Sequence, residues 1–217
     1  MPRLVVMKIT KREHSCQVIE TGGAALVIDP GAFTLPLDDL TGVVAIVITH
    51  EHEDHWTPAH LDAIREMNPD ARIFGPAGVA AAAAEYPVEV VSPGDTVEVD
   101  PFTLTFFGGK HAVIHESIPV IDNVGVLING SVYYAGDSYA VPGVPVDVLA
   151  APIGAPWLKI GEAMDYVAAV KPSRVYPVHE STLSKIGRTM ANARLESVVA
   201  QWDGEYIALE PGETLDV

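Results

Sequence analysis

Cysteine, basic residues and long apolar runs are all scarce in this sequence. The 217 residues include one cysteine, Cys16, so no disulfide can form within the chain, and this suits a reducing compartment. Acidic residues number 29 against 13 basic ones, which gives a formal charge of −16. Nucleic acids and anionic membranes are bound by basic surfaces, so we expect neither as a partner. No apolar run approaches the roughly 20 residues of a membrane helix.

Several short sequence signals are missing too. The first ten residues contain no small-residue cleavage site, so we expect no signal peptide and a cytoplasmic protein. The G-x-S-x-G pattern of a serine nucleophile is absent. The H-E-x-x-H pattern of a zinc-binding helix fails, because Asp54 stands four residues after His50. Nothing therefore indicates catalysis by a serine nucleophile or a metal site on a helix.

Blocks rich in strands are followed by strand–helix alternation. The run 42–49 is continuously apolar and β-branched, as in a strand covered on both faces. Asn129-Gly130 between apolar alternations predicts a type I′ hairpin, and Pro211-Gly212 predicts a final hairpin. Helical patterns occur at 58–67, 160–170 and 193–202. This order predicts an α/β (α+β) fold of two sheets with helices on their outer faces.

The segment ITHEHEDHW, residues 48–56, crowds three histidines and three acidic residues into six positions. It follows the apolar run and precedes a helix, so it forms a loop at the carboxyl edge of a strand, where α/β proteins build their sites. Imidazole and carboxylate are the ligand set for Zn²⁺ or a similar cation. A bound cation offsets the lost hydration of such a cluster. The candidate ligands are His50, His52, Asp54 and His55; the alternative is a solvated polar loop.

Three later residues stand at the ends of predicted strands, at the same edge. They are His111, Asp137 and His179. Each could be an ordinary loop residue, but together with the first cluster they predict a metal site. His115, four residues after His111, is an alternative ligand. Because His111 follows its strand directly, we prefer it as the ligand, and His115 becomes a candidate proton donor, a substrate contact or a plain loop histidine.

The motifs THEHEDH, GGKH, AGD and PVH, in this order, resemble the metallo-β-lactamase superfamily over nearly the whole chain, from Asp29 to His179. The surroundings AGDS and APW, around Asp137 and Trp157, are similar to the ascorbate-6-phosphate lactonase-like group of metal-dependent hydrolases. The resemblance implies a four-layer αββα sandwich with a binuclear metal site in the cleft between the sheets. We expect one hydrolase domain over residues 1–217.

The resemblance also implies a role for each candidate ligand. The residues expected at one cation are His50, His52 and His111. The residues expected at the other are Asp54, His55 and His179, with Asp137 shared by both. Asp29 would hydrogen-bond to a ligand or to the metal-bound water; carboxylates in such positions fix the tautomer of a histidine ligand. Two cations would activate a bridging hydroxide as the nucleophile, and Asp54 or His115 would move the proton.

The expected reaction is hydrolysis of an ester, lactone, amide or phosphoester bond of a small-molecule substrate. The expected cofactors are two divalent ions, Zn²⁺ first, with Mn²⁺ or Fe²⁺ as alternatives. Trp157 is either a wall of the pocket or an aromatic residue of the core. The sequence carries no signal for an oligomeric state. The alternative function is a metal-binding protein of the same fold without turnover.

Overall fold

The computed structural model describes residues 6–217. Its strands are β1 (Lys8–Lys11), β2 (Gln17–Thr21), β3 (Ala24–Ile28), β4 (Val43–Val47), β5 (Arg72–Gly75), β6 (Val88–Val90), β7 (Thr96–Val99), β8 (Phe102–Lys110), β9 (Asp122–Ile128), β10 (Val132–Tyr134), β11 (Val148–Pro152), β12 (Arg174–Val178), β13 (Glu205–Tyr206) and β14 (Thr214–Asp216). Its α-helices are α1 (Pro58–Met67), α2 (Ala77–Ala82), α3 (Ile160–Val170) and α4 (Lys185–Val199). Among the described residues, no helix is long and apolar enough to cross a membrane.

The strands form two seven-stranded sheets, each antiparallel at one side and parallel at the other. The first sheet has the order β14-β1-β2-β3-β4-β5-β6 and becomes parallel from β3 onward. The second has the order β13-β12-β11-β10-β9-β8-β7, with β10 to β13 parallel. Parallel neighbours need crossovers. Four of the crossovers contain the α-helices, on the outer faces, and those between β3 and β4 and between β10 and β11 are loops.

Three apolar clusters hold the layers together. Phe74 of the first sheet and Phe106 of the second belong to one buried cluster between the sheets. Leu61 of α1 packs with the outer face of the first sheet, and α3 and α4 cover the second sheet through residues such as Val167 and Leu195. The layers are thus helix, sheet, sheet, helix, and the predicted αββα sandwich is confirmed.

The register of the first sheet places one turn and two strand ends at a single edge. Lys11 pairs with Gln17, Gln17 with Ile28, and Ile28 with Val47. The β1–β2 turn therefore lies beside the chain that leaves β3 and β4. In the second sheet, β8 and β12 lead directly into His111 and His179, and β10 ends three residues before Asp137. These ends form the rim on which the site is built.

Most predicted elements agree with the structure; the exceptions are helix α4, which runs over Lys185–Val199 and not over 193–202, and the elements near the termini. Helices α1 and α3 have the predicted bounds, and Asn129 and Gly130 both have the positive φ that a type I′ turn needs. The final hairpin is wrong, because β13 pairs with β12 and β14 pairs with β1, in different sheets. The predicted first strand covers 3–9; its residues 3–5 lie outside the described residues, and β1 begins at Lys8.

Candidate metal centre

All seven predicted ligands meet at the rim between the two sheets. Four lie on the β4–α1 loop, and three follow strands of the second sheet; in chain order they are His50, His52, Asp54, His55, His111, Asp137 and His179. His50 and His55 are completely buried, and Asp137 and His179 nearly so. Because both sheets contribute, the site joins the two halves of the sandwich.

Asp137 lies in the middle of the histidines. Its Oδ1 is 3.3 Å from Nε2 of His55. Its Oδ2 is 3.4 Å from Nε2 of His111 and 3.1 Å from Nε2 of His179. Donor atoms within 4.8 Å of one another form three sets: His14 with Asp54, His55 and His179; His50 with His52 and His111; and His50 with His55 and Asp137.

Hydrogen bonds fix the tautomers of three of these histidines. Nδ1 of His111 lies 2.5 Å from the carbonyl oxygen of residue 112, and Nδ1 of His179 lies 2.5 Å from that of residue 154. Nδ1 of His55 lies 2.7 Å from a carboxylate oxygen of Asp29. All three partners accept, so we assign the proton of each neutral ring to Nδ1 and a lone pair to Nε2.

These lone pairs face carboxylate oxygens. Nε2 of His55, His111 and His179, and Oδ1 of Asp137, are buried and have no hydrogen-bond partner among residues 6–217. Unpartnered buried polar atoms are costly, and acceptors facing acceptors repel. A divalent cation between them would satisfy all of these atoms at once. The donor set therefore fits a metal ion.

The charges of the site favour a cation as well. Burial lowers the pKa of His55, but Asp137 and Asp29 outweigh it, so its pKa lies well above the ordinary value. Without a metal, His55 therefore holds a second proton, on Nε2, in the place that a cation would take, and metal binding releases that proton. Burial raises the pKa of Asp137, but His179 and His55 outweigh it, so its pKa lies well below the ordinary value. Burial also lowers the pKa of His50, which keeps that ring neutral, as a ligand must be.

Asp29 orients two of the histidines. Its Oδ2 accepts from Nδ1 of His55 at 2.7 Å and from Oγ1 of Thr49 at 2.7 Å, while its Oδ1 accepts from the Thr49 amide at 2.8 Å. Oγ1 of Thr49 lies 3.1 Å from Nδ1 of His50. With the Thr49 hydroxyl donating to Asp29, we assign His50 Nδ1–H as the donor to Thr49. One carboxylate thus fixes His55 directly and His50 through Thr49.

Close backbone packing holds the carboxylate loops. A Cβ atom added at Gly31 would lie 1.9 Å from the carbonyl oxygen of Asp54, so the loop that follows Asp29 requires glycine at this position. Asn123 donates to the carbonyl of Ala135 at 2.8 Å and accepts from the Asp137 amide at 3.0 Å. Asn123 therefore fixes the backbone that presents Asp137.

Trp157 is both a buried aromatic residue and a wall of a pocket, the two alternatives that the sequence left open. Its indole is 8% exposed, and its Nε1 donates to Oδ2 of Asp137 at 2.7 Å. It also lines a cavity of about 710 Å³ together with Ser138, Tyr139 and Lys159. The cavity thus borders the cluster through Trp157 and through Ser138, which follows Asp137.

Two predicted residues differ in their relation to the cluster. Asp54 lies within it and keeps 25% of its side chain exposed. His115 lies on an exposed loop, where its Nδ1 accepts from the amide of Ser117 at 3.2 Å, and it joins none of the donor sets found among the described residues. His111, rather than His115, faces Asp137.

Sequence reasoning missed three residues beside the site. Nε2 of His14 lies 3.1 Å from Oδ2 of Asp54. Lys11 and Glu180 form a buried ion pair of 2.7 Å, and Glu180, which follows His179 in the chain, also accepts from the amide of His14. These residues could have been found from the order of the strands. Because β1, β2 and β3 are consecutive antiparallel strands, the β1–β2 turn lies at the same sheet edge as Asp29, which follows β3.

Known proteins are similar to this chain in sequence and in fold. The chain matches the family described as "Beta-lactamase superfamily domain" over residues 8–179. Protein Rv0786c of Mycobacterium tuberculosis is 41% identical over 87% of this chain and 91% of its own length. A UPF0173 protein of Pyrococcus furiosus is 30% identical over 82% of this chain and 86% of its own length. The solved structure of Igni18, a novel metallo hydrolase from Ignicoccus hospitalis, is similar with a TM-score of 0.75 at 21% identity, over 98% of both chains. The chain therefore belongs to the beta-lactamase superfamily and, within it, to the UPF0173 family.

Proposed function

We propose that this chain is a binuclear metal-dependent hydrolase that cleaves an ester, lactone, amide or phosphoester bond of a small molecule. The observation that carries the proposal is the set of unpartnered buried atoms around Asp137, to which three imidazole lone pairs point. UPF0173 relatives from Methanopyrus kandleri and Ignicoccus hospitalis are named metal-dependent hydrolases, which supports a hydrolytic role.

The donor sets support two cations with a shared carboxylate. One would be held by His50, His52 and His111, and the other by Asp54, His55 and His179. Asp137 would be shared, since its two oxygens face rings from both groups. Imidazoles outnumber carboxylates, which favours Zn²⁺, with Mn²⁺ and Fe²⁺ as the alternatives.

When bound, divalent cations lower the pKa of water and polarise a carbonyl or phosphoryl oxygen. The remaining steps fall to side chains. Asp54 reaches solvent and takes the proton of the attacking water. Asp137 is kept ionised by His179 and His55 and is oriented by the indole N–H of Trp157. His115, on the loop after His111, is the second group proposed to move a proton, toward the leaving group.

The substrate site we propose is the cavity beside Trp157. Its volume, about 710 Å³, suits a small molecule. Tyr139 and Trp157 offer apolar walls, and the charged residues of the lining are Lys110, Lys159 and Glu162. We propose the lactonase-like group as the subgroup, on the residues around Asp137 and Trp157, so lactones are the first substrates to test.

The test combines metal analysis with a substrate panel. Purified protein is loaded with Zn²⁺ or Mn²⁺, its metal content is measured by elemental analysis, and generic lactones, esters, amides and phosphodiesters are assayed. We expect two metal ions per chain and turnover that is lost in Asp137→Asn. His60→Asn is the matched control, because His60 lies on α1 outside the donor sets.

Three results would contradict the proposal. Failure of the wild type to retain metal would remove the site. Tight metal binding without turnover on any substrate class would favour the metal-binding protein without catalysis. Turnover that persists in Asp137→Asn would place the reaction elsewhere.

A further inference from the structure

We infer that His14 is a positioning residue, whose Nε2–H holds the carboxylate of Asp54 in the orientation that a ligand requires. The inference rests on the proposed function, because it takes Asp54 to be a ligand. The two atoms, Nε2 of His14 and Oδ2 of Asp54, lie 3.1 Å apart. The ring of His14 is completely buried, whereas the carboxylate it contacts is 25% exposed.

The other ring nitrogen of His14 determines where the proton lies. Nδ1 of His14 accepts from the backbone amide of Ser181 at 3.4 Å. An amide can only donate, so Nδ1 carries the lone pair and Nε2 carries the hydrogen. A ring nitrogen that bears a hydrogen donates to a carboxylate and does not bind a metal. His14 therefore acts on the site through Asp54.

The position of the ring is fixed from several sides. The amide of His14 donates to Oε1 of Glu180 at 3.2 Å, and its carbonyl accepts from the amide of His179 at 2.9 Å. The same Glu180 oxygen accepts from Nζ of Lys11 at 2.7 Å. The ring centroid is 3.8 Å from that of His179 and 4.9 Å from that of Phe33. This rigidity is what an orienting donor needs, because a freely rotating ring would not constrain Asp54.

The competing role for His14 is a further ligand beside Asp54, His55 and His179, since their donor atoms lie within 4.8 Å of one another. The two roles make opposite demands on Nε2. A ligand needs a lone pair there, and a positioning residue needs a hydrogen. Two amide substitutions distinguish them.

In His14→Gln the side-chain amide reaches the place of Nε2, so an N–H donor to Asp54 is retained. In His14→Asn the amide reaches only the place of Nδ1, so the acceptor for Ser181 is retained and the donor to Asp54 is lost. His14 has φ of 61°, and asparagine tolerates this conformation best. Backbone strain therefore cannot explain a loss that is larger in the asparagine variant.

The experiment measures Zn²⁺ affinity by competition with a chromophoric chelator, and the visible spectrum of the Co²⁺-loaded protein. We expect His14→Asn to bind metal about 10–100-fold more weakly than the wild type, the range for lost outer contacts to ligands. His14→Gln should retain most of the affinity and the Co²⁺ spectrum. His60→Asn, outside the donor sets, is the control.

Equal losses in both variants, or none in His14→Asn, would overturn the inference. If His14→Asn does not fold, imidazole nitrogen NMR of the Zn²⁺-loaded wild type decides: a proton on Nε2 supports the inference, and a metal-bound Nε2 overturns it. A wild type that binds no metal would instead overturn the proposed function, and this inference with it.

Discussion

Oδ2 of Asp29 lies 2.7 Å from Nδ1 of His55, and both side chains are completely buried. The same carboxylate accepts two further hydrogen bonds, from the amide and the hydroxyl of Thr49. Three donors converge on one carboxylate, which leaves Nε2 of His55 pointing at Asp137. The relationship sets the orientation of a proposed ligand from outside the donor cluster.

Asp29→Asn is expected to weaken Zn²⁺ binding by about 10–100-fold. Asparagine has one acceptor oxygen for the three donors, so either His55 or Thr49 loses its partner. Asp29 has φ of 46°, which asparagine tolerates, so the backbone is not strained. Equilibrium dialysis measures the affinity, with the exposed Asp62→Asn as control. Unchanged affinity in Asp29→Asn would show that Asp29 does not orient His55.

The buried Lys11–Glu180 pair predicts a large and non-additive effect on stability. Lys11→Met should lower the free energy of unfolding by about 3–5 kcal/mol, because the charge of Glu180 stays buried without its partner. The double variant Lys11→Met/Glu180→Gln should lose less than the sum of the single losses. Denaturant unfolding of the metal-free protein measures each value.

Lys8→Met is the matched control for this cycle. Lys8 lies on the same strand as Lys11, and its pair with Glu20 is 45% and 44% exposed. Exposed pairs contribute about 0–1 kcal/mol, so the loss should be small. Equal losses in Lys8→Met and Lys11→Met would contradict the assigned role of the buried pair.

Cys16 is expected to resist thiol reagents in the folded protein. Its side chain is completely buried, and burial raises the pKa of its thiol to about 12. Because the folded pKa is raised, the reactive thiolate is scarce at pH 8 and increases as the pH rises toward that value. A disulfide reagent at pH 8 should label one thiol per chain after unfolding in guanidinium and almost none before it. Rapid labelling of the native protein would show that Cys16 is accessible.

Removal of metal should lower the melting temperature. The proposed ligands come from both sheets, and a cation that binds the folded chain alone stabilises it by about 2.7 kcal/mol at 100 times its Kd. For a chain of this length that is a shift on the order of 5–10 °C. Thermal unfolding with Zn²⁺ and with excess chelator measures the shift, and Asp137→Asn should show little of it. Identical wild-type melting curves would contradict a site shared by the sheets.

Much of the fold could be predicted from the sequence because its apolar patterns are local. The run at β4 and the helices α1 and α3 carry their periodicity within their own residues. The prediction of helix α4 started too late, at residue 193, whereas the helix starts at Lys185; its first buried residue is Ala191, so its first turns have no buried apolar face. The turn signal at Pro211-Gly212 is genuine, but a turn does not specify partners, and β14 pairs with the distant β1.

The proposed ligands could be predicted from the sequence for a different reason. His50, His52, Asp54 and His55 stand together in sequence, whereas Lys11 and His14 each look like a surface residue of a strand or turn. Their role depends on pairing across 169 positions between Lys11 and Glu180, which no local pattern contains. Only the order of the antiparallel strands brings the β1–β2 turn to the rim.

The contact between Trp157 and Asp137 gives the protein a built-in optical reporter. An indole whose N–H is bonded to a carboxylate changes its fluorescence when that carboxylate takes another partner. The other two tryptophans, Trp56 and Trp202, donate to backbone carbonyls. We therefore expect metal binding at the rim to change the emission of Trp157 in the unlabelled chain and to leave the other two indoles unaffected.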